Sequence, residues 1–194
     1  VQASPYEKEI LLIDDCSKDS SREVMKALEE ECNNIRCFYH EKNLGKGGGL
    51  ATGFAQTTGD IVLIQDADLE YDPRDIPKLL VPLLQDESDV VYGSRFIGNE
   101  SQDESWIHRF GNGLLTGVSN LTTGLKLTDM ETCYKVFKGD LIRDMILVSK
   151  RFGIEPEMTA KISKIKGVKI FEVPISYDGR TYEEGKKIGW KDGV

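Results

Sequence analysis

The stretch NLGKGGGLATGFAQTTGDIVLIQDADLEYDP (residues 43–73) packs a lysine among glycines, then an apolar run, then a burst of carboxylates. Its reading decides the fold, and it offers two ways to hold a nucleotide. The glycines fail both phosphate-loop tests. A P-loop needs a glycine at position 40, where His40 stands, and Ser or Thr after Lys46, where Gly47 stands. A dinucleotide fingerprint needs glycines at i, i+2 and i+5. The last of these is Leu50 counted from Gly45 and Thr52 counted from Gly47. What holds is Gly45, Gly49 and Gly53 at intervals of four, with Ala51 and Ala55 nearby. That is a small-residue stripe letting a helix lie close to a sheet. Direct phosphate contact by the helix N-terminus or Lys46 stays open beside it.

The aspartates read differently. Asp66 and Asp68 follow the apolar residues 61–64, at the C-terminal end of a strand. Open α/β sheets bind their ligands at that edge. Asp14 and Asp15 end the run EILLIDD in the same way. Neighbouring ionised carboxylates repel, and a cation resolves the repulsion. Oxygen-only ligands favour Mg²⁺ or Mn²⁺. An EF-hand is excluded, because Tyr71 stands where its glycine belongs and Pro77 where its glutamate belongs. The alternative is that Asp68, Glu70 and Asp72 form a solvated loop and a helix cap.

Outward from this stretch, strands alternate with helices. EILLIDD reads as a buried parallel strand. SSREVMKALEEE reads as a helix with Ser20 and Glu23 as a capping box and Val24, Ala27 and Leu28 as its apolar stripe. IRCFYHE, DIVLIQDAD and SDVVYGSRF read as strands, with a helix over residues 45–58. Pro73 opens a further helix, which Pro82 must bend or end. IGNESQDES reads as a mobile loop, and residues 106–123 as an amphipathic helix. ETCYKVFKG is a strand, EPEMTAKISKI a helix, and VKIFEVPISY an edge strand because Pro174 interrupts it. This order implies an α/β fold with a largely parallel sheet. There are no repeats, and no linker divides the chain.

Composition narrows the function. The 194 residues are 39% apolar and 30% charged, with a net charge of −8. An acidic chain is a poor general nucleic-acid binder, since phosphate tracking needs a basic face. No apolar run is long enough for a transmembrane helix, and VQASPYEKE lacks the apolar core of a signal peptide. Cys16, Cys32, Cys37 and Cys133 lack metal-ligand spacing and read as reduced thiols of a cytosolic compartment. His40 and His108, the only histidines, cannot build a multi-histidine metal site.

The combination is more specific than any part. LLIDDCSKDSS, NLGKGGGLATGF, GDIVLIQDADLEYDP, VVYGSRF, TDMETCYKVFKGDLI, FGIEPEMTAKI and ISYDGRTYEEGKKIGWKDG fall in order across nearly the whole chain. Together they resemble the family 2 inverting glycosyltransferases. The nearest likeness is to the branch of dolichol-phosphate mannose synthases and bacterial polyprenyl-phosphate hexosyltransferases.

The resemblance implies a GT-A (nucleotide-diphospho-sugar transferase) fold, mainly a parallel twisted sheet flanked by helices. It implies one catalytic domain over residues 1–194, with a nucleotide-sugar half (1–95) and an acceptor half (96–194). Asp14, Asp15, Lys46 and Asp66 would serve the donor, Asp15 at its base or ribose. Asp66 and Asp68 would be a DXD motif holding Mg²⁺ or Mn²⁺ against the diphosphate, with Glu70 near that shell. Asp129 would sit near the acceptor as candidate base, and Asp68 and Arg95 would join it in catalysis. Arg95, Arg109, Arg180 and Lys186 would face the acceptor phosphate. The family begins with a base-contacting strand, and VQASPYEKE looks like the end of the helix after it. The expectation is that this strand precedes Val1.

The implied reaction moves a hexose from a UDP- or GDP-sugar to a polyprenyl or dolichyl phosphate in a single in-line displacement. The expected setting is the cytoplasmic face of a membrane, with the chain peripheral or tethered. A hydroxyl acceptor would need a base; a phosphate arrives ionised. Three alternatives stay open: transfer to a saccharide hydroxyl of a polysaccharide, a nucleotidyltransferase, and a catalytically silent sugar-nucleotide binder.

Overall fold

The computed structural model describes residues 1–98, 106–150 and 153–179, with the side chains of residues 106–108 outside that description. In chain order the elements are β1 (Ile10–Asp14), α1 (Ser21–Glu31), β2 (Ile35–Tyr39), α2 (Gly45–Gln56) and β3 (Ile61–Leu63). A 3₁₀ turn (Pro73–Asp75), α3 (Ile76–Leu84), β4 (Val90–Ser94) and α4 (Trp106–Thr123) follow. The last four are β5 (Lys135–Lys138), α5 (Gly139–Arg143), α6 (Ile154–Ser163) and β6 (Ile170–Pro174).

The chain divides into two compact units. The smaller comprises Pro5–Val62 and Gly139–Ile154; the larger comprises Val1–Ser4, Leu63–Lys138 and Glu155–Val194. The chain passes between them after Ser4, Val62, Lys138 and Ile154.

In the smaller unit β1 and β2 pair in parallel from Ile10↔Ile35 to Asp14↔Tyr39. The expected capping box of α1 is not formed. Ser20 has φ −75 and ψ 9, outside the extended region from which a cap hydroxyl reaches the first turn, and makes no side-chain cap bond. Asp19 instead accepts from Ser21 N at 3.0 Å and Ser21 Oγ at 2.6 Å. The apolar stripe of α1 is not buried: the helix buries no residue, and Val24 and Leu28 are exposed.

The glycine helix α2 lies over Ile13. Ideal Cβ atoms at Gly49 and Gly53 would sit 3.8 and 3.7 Å from the Ile13 side chain, which is ordinary contact. The close approach is at Gly47, whose Cβ would lie 1.9 Å from the Ser149 carbonyl oxygen. Gly47 N also donates to the Lys150 carbonyl at 3.0 Å. The glycine that packing requires is therefore two residues out of phase with the expected stripe.

In the larger unit the strand order is β3-β5-β4-β6. β6 lies at an edge, as Pro174 implied, and runs parallel to β4 from Val90↔Ile170 to Ser94↔Pro174. β5 runs antiparallel to β4, with Val90 opposite Phe137 and Tyr92 opposite Lys135. The pairings β1–β2 and β4–β6 are parallel, as expected, and β5 is the reversed strand. The physical reason is local: the chain returns to Asp129 beside Arg95, at the end where β4 finishes, and turns straight back along it. Leu79, Val90, Val91, Tyr92, Tyr134, Val136, Phe137, Met158 and Ile162 are fully buried and form the core.

Proline punctuation holds in part. Pro73 opens only a 3₁₀ turn, capped by Asp72, whose Oδ1 accepts from Arg74 N at 2.9 Å. Pro82 lies inside α3, which ends two residues later at Leu84. Residues 1–9 form turns and irregular backbone, not a helix end. No helix among the described residues is long and apolar enough to cross a membrane.

Candidate functional site

The smaller unit places Asp14 and Asp15 at the C-terminal end of β1, and the two carboxylates turn apart. Buried Asp14 accepts from Cys16 N at 3.2 Å, Ser17 N at 3.1 Å and Arg22 Nε at 2.6 Å. Cys16 reaches this position in the left-handed region, at φ 68. Burial works to raise the Asp14 carboxyl, but the bonds from Ser17 and Arg22 outweigh it and hold it below its ordinary value.

Asp15 accepts from Leu44 N at 2.8 Å and Gly45 N at 2.7 Å, so a side chain of the protein itself occupies these leading amides of α2. A carboxylate is well placed there, because a helix N-terminus carries partial positive charge. Its Oδ1 also meets His40 Nδ1 at 2.8 Å, while His40 Nε2 meets Thr52 Oγ1 at 2.9 Å. Lys46 follows, half-buried, in the first turn of α2. The structure thus brings Asp15, Lys46 and the α2 N-terminus together and commits Asp14 to Arg22.

The larger unit carries the remaining described candidates. Asp66 and Asp68 follow β3, half-buried on either side of exposed Ala67. Asp68 Oδ1 accepts from Glu70 N at 3.2 Å, folding a tight turn in which Leu69 takes φ 67 and is exposed. A leucine there stores strain on the order of 1 kcal/mol. Glu70 is directed elsewhere: its Oε2 accepts from the Tyr177 hydroxyl at 2.9 Å, and its carbonyl accepts from Asp178 N at 3.0 Å.

A tyrosine cluster braces this turn. The Tyr71 ring lies 4.9 Å from that of Tyr134 and 5.3 Å from that of Tyr177. The Tyr71 hydroxyl accepts from Cys133 N at 3.0 Å, and Tyr134 donates to Gln65 Oε1 at 2.5 Å. Burial pushes the Tyr71 and Tyr134 hydroxyls far up, so both stay protonated.

Among the described residues no group of three His, Cys, Asp or Glu gathers as a metal cage. A Mg²⁺ ion commonly takes one or two carboxylates and completes its shell with substrate phosphates and water. Asp66 and Asp68, oxygen donors partly open to solvent at a strand end, fit that donor set. The Tyr177 hydroxyl and the Glu70 carboxylate form a brace beside them.

Arg95 and Asp129 form a buried, two-pronged ion pair in this unit. Arg95 Nε and Nη2 donate to the two Asp129 oxygens at 2.7 and 2.8 Å, and Arg95 N donates at 3.1 Å. Asp129 is 0% exposed. The Arg95 guanidinium also lies 5.1 Å from the Tyr177 ring centre and 5.5 Å from that of Phe96. Arg109 stands 5.8 Å over the same Phe96 ring. Arg95 and Arg109 therefore share one aromatic side chain. Arg180 and Lys186 lie outside the described residues.

The sequence reading missed Glu172. Its carboxylate accepts from Thr128 N at 2.8 Å and Asp129 N at 3.0 Å, which fixes the segment that presents Asp129. Burial raises its carboxyl, with those amide bonds working the other way. Burial likewise raises Glu131. The signal was available, since an acid inside IFEVP is out of place in a strand unless it has partners. Buried Lys135, paired with Glu155, was missed in the same way.

The family described as glycosyl transferase family 2 matches residues 1–146. An undecaprenyl-phosphate 4-deoxy-4-formamido-L-arabinose transferase of Edwardsiella ictaluri is 27% identical over 92% of this chain and 52% of its own. The protein of that name from Sodalis glossinidius is 28% identical over the same shares. The chain thus spans about half the length of the curated relatives it matches, 52%. Among solved structures, glucosyl-3-phosphoglycerate synthase of Mycobacterium tuberculosis superposes with TM-score 0.63 at 19% identity, covering 91% of this chain and 63% of that one. The same enzyme with Mn²⁺, uridine diphosphate and phosphoglyceric acid also gives TM-score 0.63, over 91% and 62%. The chain belongs to glycosyl transferase family 2 and has its GT-A fold.

Proposed function

We propose that the chain is the catalytic domain of an inverting glycosyltransferase that moves a sugar from a nucleotide-diphosphate donor to a polyprenyl phosphate. The observation that carries the acceptor is the closed Arg95–Asp129 pair. A hydroxyl acceptor needs a base that can reach it. Asp129 is fully buried, with both oxygens on Arg95. A phosphate acceptor needs positioning and no base, and arginine suits that task. In this reading Asp129 is a positioning residue that orients Arg95, and Arg95 and Arg109 meet the acceptor phosphate. The curated relatives, named for transfer to undecaprenyl phosphate, support the same acceptor. Their sugar is an arabinose derivative, so the donor is taken as a nucleotide-activated sugar, a hexose or a relative of one.

Asp66 and Asp68 would hold Mg²⁺ or Mn²⁺, which when bound neutralises charge on the departing nucleoside diphosphate. The protein's own part is to keep those carboxylates in place without reorganisation. Glu70 holds the turn through Tyr177, and the tyrosine cluster fixes its base. On the donor side Lys46 would meet phosphate, while Asp14 and Asp15 organise the end of β1 and the start of α2. Donor binding within residues 1–95 and acceptor binding within 96–194 complete the proposal, with peripheral residence at a membrane.

The test is transfer from labelled UDP- and GDP-sugars to membranes containing polyprenyl phosphate. The expected product extracts into organic solvent and is labile to mild acid. Transfer to a free oligosaccharide, with polyprenyl phosphate inert, would refute the reading. Nucleotide binding without turnover of either acceptor would leave a silent binder.

A further inference from the structure

Tyr177 reaches two candidate sites of the larger unit with the two ends of one side chain. Its hydroxyl donates to Glu70 Oε2 at 2.9 Å, in the turn that follows Asp66 and includes Asp68. Its ring centre lies 5.1 Å from the Arg95 guanidinium carbon. The backbone repeats the link. Ile175 N donates at 3.0 Å to the carbonyl of Ser94, the residue before Arg95, and Asp178 N donates to the Glu70 carbonyl at 3.0 Å. Between these points Ser176 N donates to the Asp75 carboxylate. Tyr177 pairs with Tyr71 in an antiparallel bridge, and the two rings meet edge to face at 5.3 Å. Residues 175–178 thus run from the end of β4 to the carboxylate turn.

Packing alone does not call for a tyrosine here, since a phenylalanine would fill the same space against Tyr71 and Arg95. The hydroxyl adds a charge-assisted bond to a carboxylate, the stronger kind. The ring adds direction to Arg95. Asp129 engages the Nε and Nη2 edge of the guanidinium and fixes it within its own plane. The Tyr177 and Phe96 rings attract the same cation and resist its tilting out of that plane.

We infer that Tyr177 is a positioning residue for both sites: through Glu70 it holds the turn of Asp68, and through its ring it holds Arg95. The inference rests on the donor and acceptor roles proposed above.

The experiment compares wild type with Tyr177→Phe, which removes the hydroxyl, and Tyr177→Leu, which removes hydroxyl and ring alike. Calorimetric titration of Mn²⁺ in the presence of UDP or GDP reads the turn. Both variants should bind Mn²⁺ about fivefold or more weakly. In a Glu70→Ala background, Tyr177→Phe should have no further effect on that binding. The KM for a short-chain, water-soluble polyprenyl phosphate, at saturating Mn²⁺ and donor, reads Arg95. It should keep its wild-type value in Tyr177→Phe and rise about three- to fivefold in Tyr177→Leu. A residue that only stabilised the fold would move both quantities together, in step with the melting temperature. Should Tyr177→Leu misfold, Tyr177→Met gives the same comparison with more of the bulk kept. Equal Mn²⁺ binding by wild type and Tyr177→Phe overturns the inference, as does an acceptor KM that Tyr177→Leu leaves unchanged.

Two magnetic-resonance readouts need no ligand and separate this inference from the function beneath it. Exchange of the Glu70 amide, which donates to Asp68 Oδ1, should quicken in both variants. The ring-current shift of the Arg95 Nε–H proton should survive in Tyr177→Phe and vanish in Tyr177→Leu. If wild type neither binds Mn²⁺ nor transfers to polyprenyl phosphate while both readouts change as expected, the function fails and the positioning stands. If wild type does both and all three proteins give the same readouts and affinities, the positioning fails and the function stands.

Discussion

Arg95 lies fork to fork with Asp129, at 2.7 and 2.8 Å, in a place where the carboxylate has no exposure. The pair closes the end of β4 against the segment entering β5. Removing one partner leaves the other charged and buried. Asp129→Ala should cost about 3–5 kcal/mol, read from urea denaturation. Asp129→Asn should slow transfer without altering the shape of the pH–rate profile, because no catalytic proton acceptor is lost. Loss of one limb of that profile would restore Asp129 as the base.

The paired aspartates after β3 make a sharper prediction for activity. Asp66→Asn and Asp68→Asn should each reduce transfer on the order of a hundredfold or more. Melting should barely change, since an asparagine oxygen at position 68 can still accept from Glu70 N. Calorimetric titration of Mn²⁺ in the presence of nucleoside diphosphate should show the binding lost in both variants. Full activity of both, with chelator harmless, would remove the metal from this site.

The glycine helix separates packing from propensity. Gly47→Ala places a methyl 1.9 Å from the Ser149 carbonyl oxygen and should destabilise by about 1–3 kcal/mol. Gly49→Ala meets Ile13 at 3.8 Å, an ordinary distance. It should stabilise by about 0.5–1 kcal/mol through helix propensity. Thermal melts of the two variants should therefore move in opposite directions.

Asp14 sets an acid limit on stability. Its folded-state pKa lies below the ordinary 3.8. Its contribution is therefore fully present above that value and is lost as pH falls through the lower, folded one. Asp14→Asn should be less stable than wild type at neutral pH, and the two melting curves should converge in acid. Parallel curves throughout would show that the Arg22–Asp14 bond adds no stability.

The order of strands and helices was legible in the sequence because buried strands such as SDVVYGSRF and helices such as α4 carry clear periodicity. Fine structure was not. The Ser20 cap failed because one residue's backbone angles decide where a hydroxyl points, and the motif does not encode them. The reversal of β5 was hidden because a four-residue strand carries no mark of its direction. The stripe of glycines was visible, but which of them is crowded depends on Ser149, a hundred residues away in the chain. Asp66, Asp68 and the end of β1 were legible as strand-end carboxylates. That Asp129 would be buried on Arg95, and that Glu172 would hold its backbone, depended on pairings across β4 and β6 that no local pattern records.

The larger unit leaves off at Lys138 and resumes at Glu155, with residues 139–154 belonging to the other unit. The buried Lys135–Glu155 ion pair joins the two ends of that excursion. Neither unit is a continuous stretch of chain, so no single cut yields one of them intact. A charge buried in this way gains its compensation only when its partner arrives, and closing a loop of such length costs chain entropy before any contact repays it. The Lys135–Glu155 pair thus forms only when the residues between its two partners have closed into a loop. Limited proteolysis within residues 139–154 would open that loop while leaving the Lys135–Glu155 pair in place.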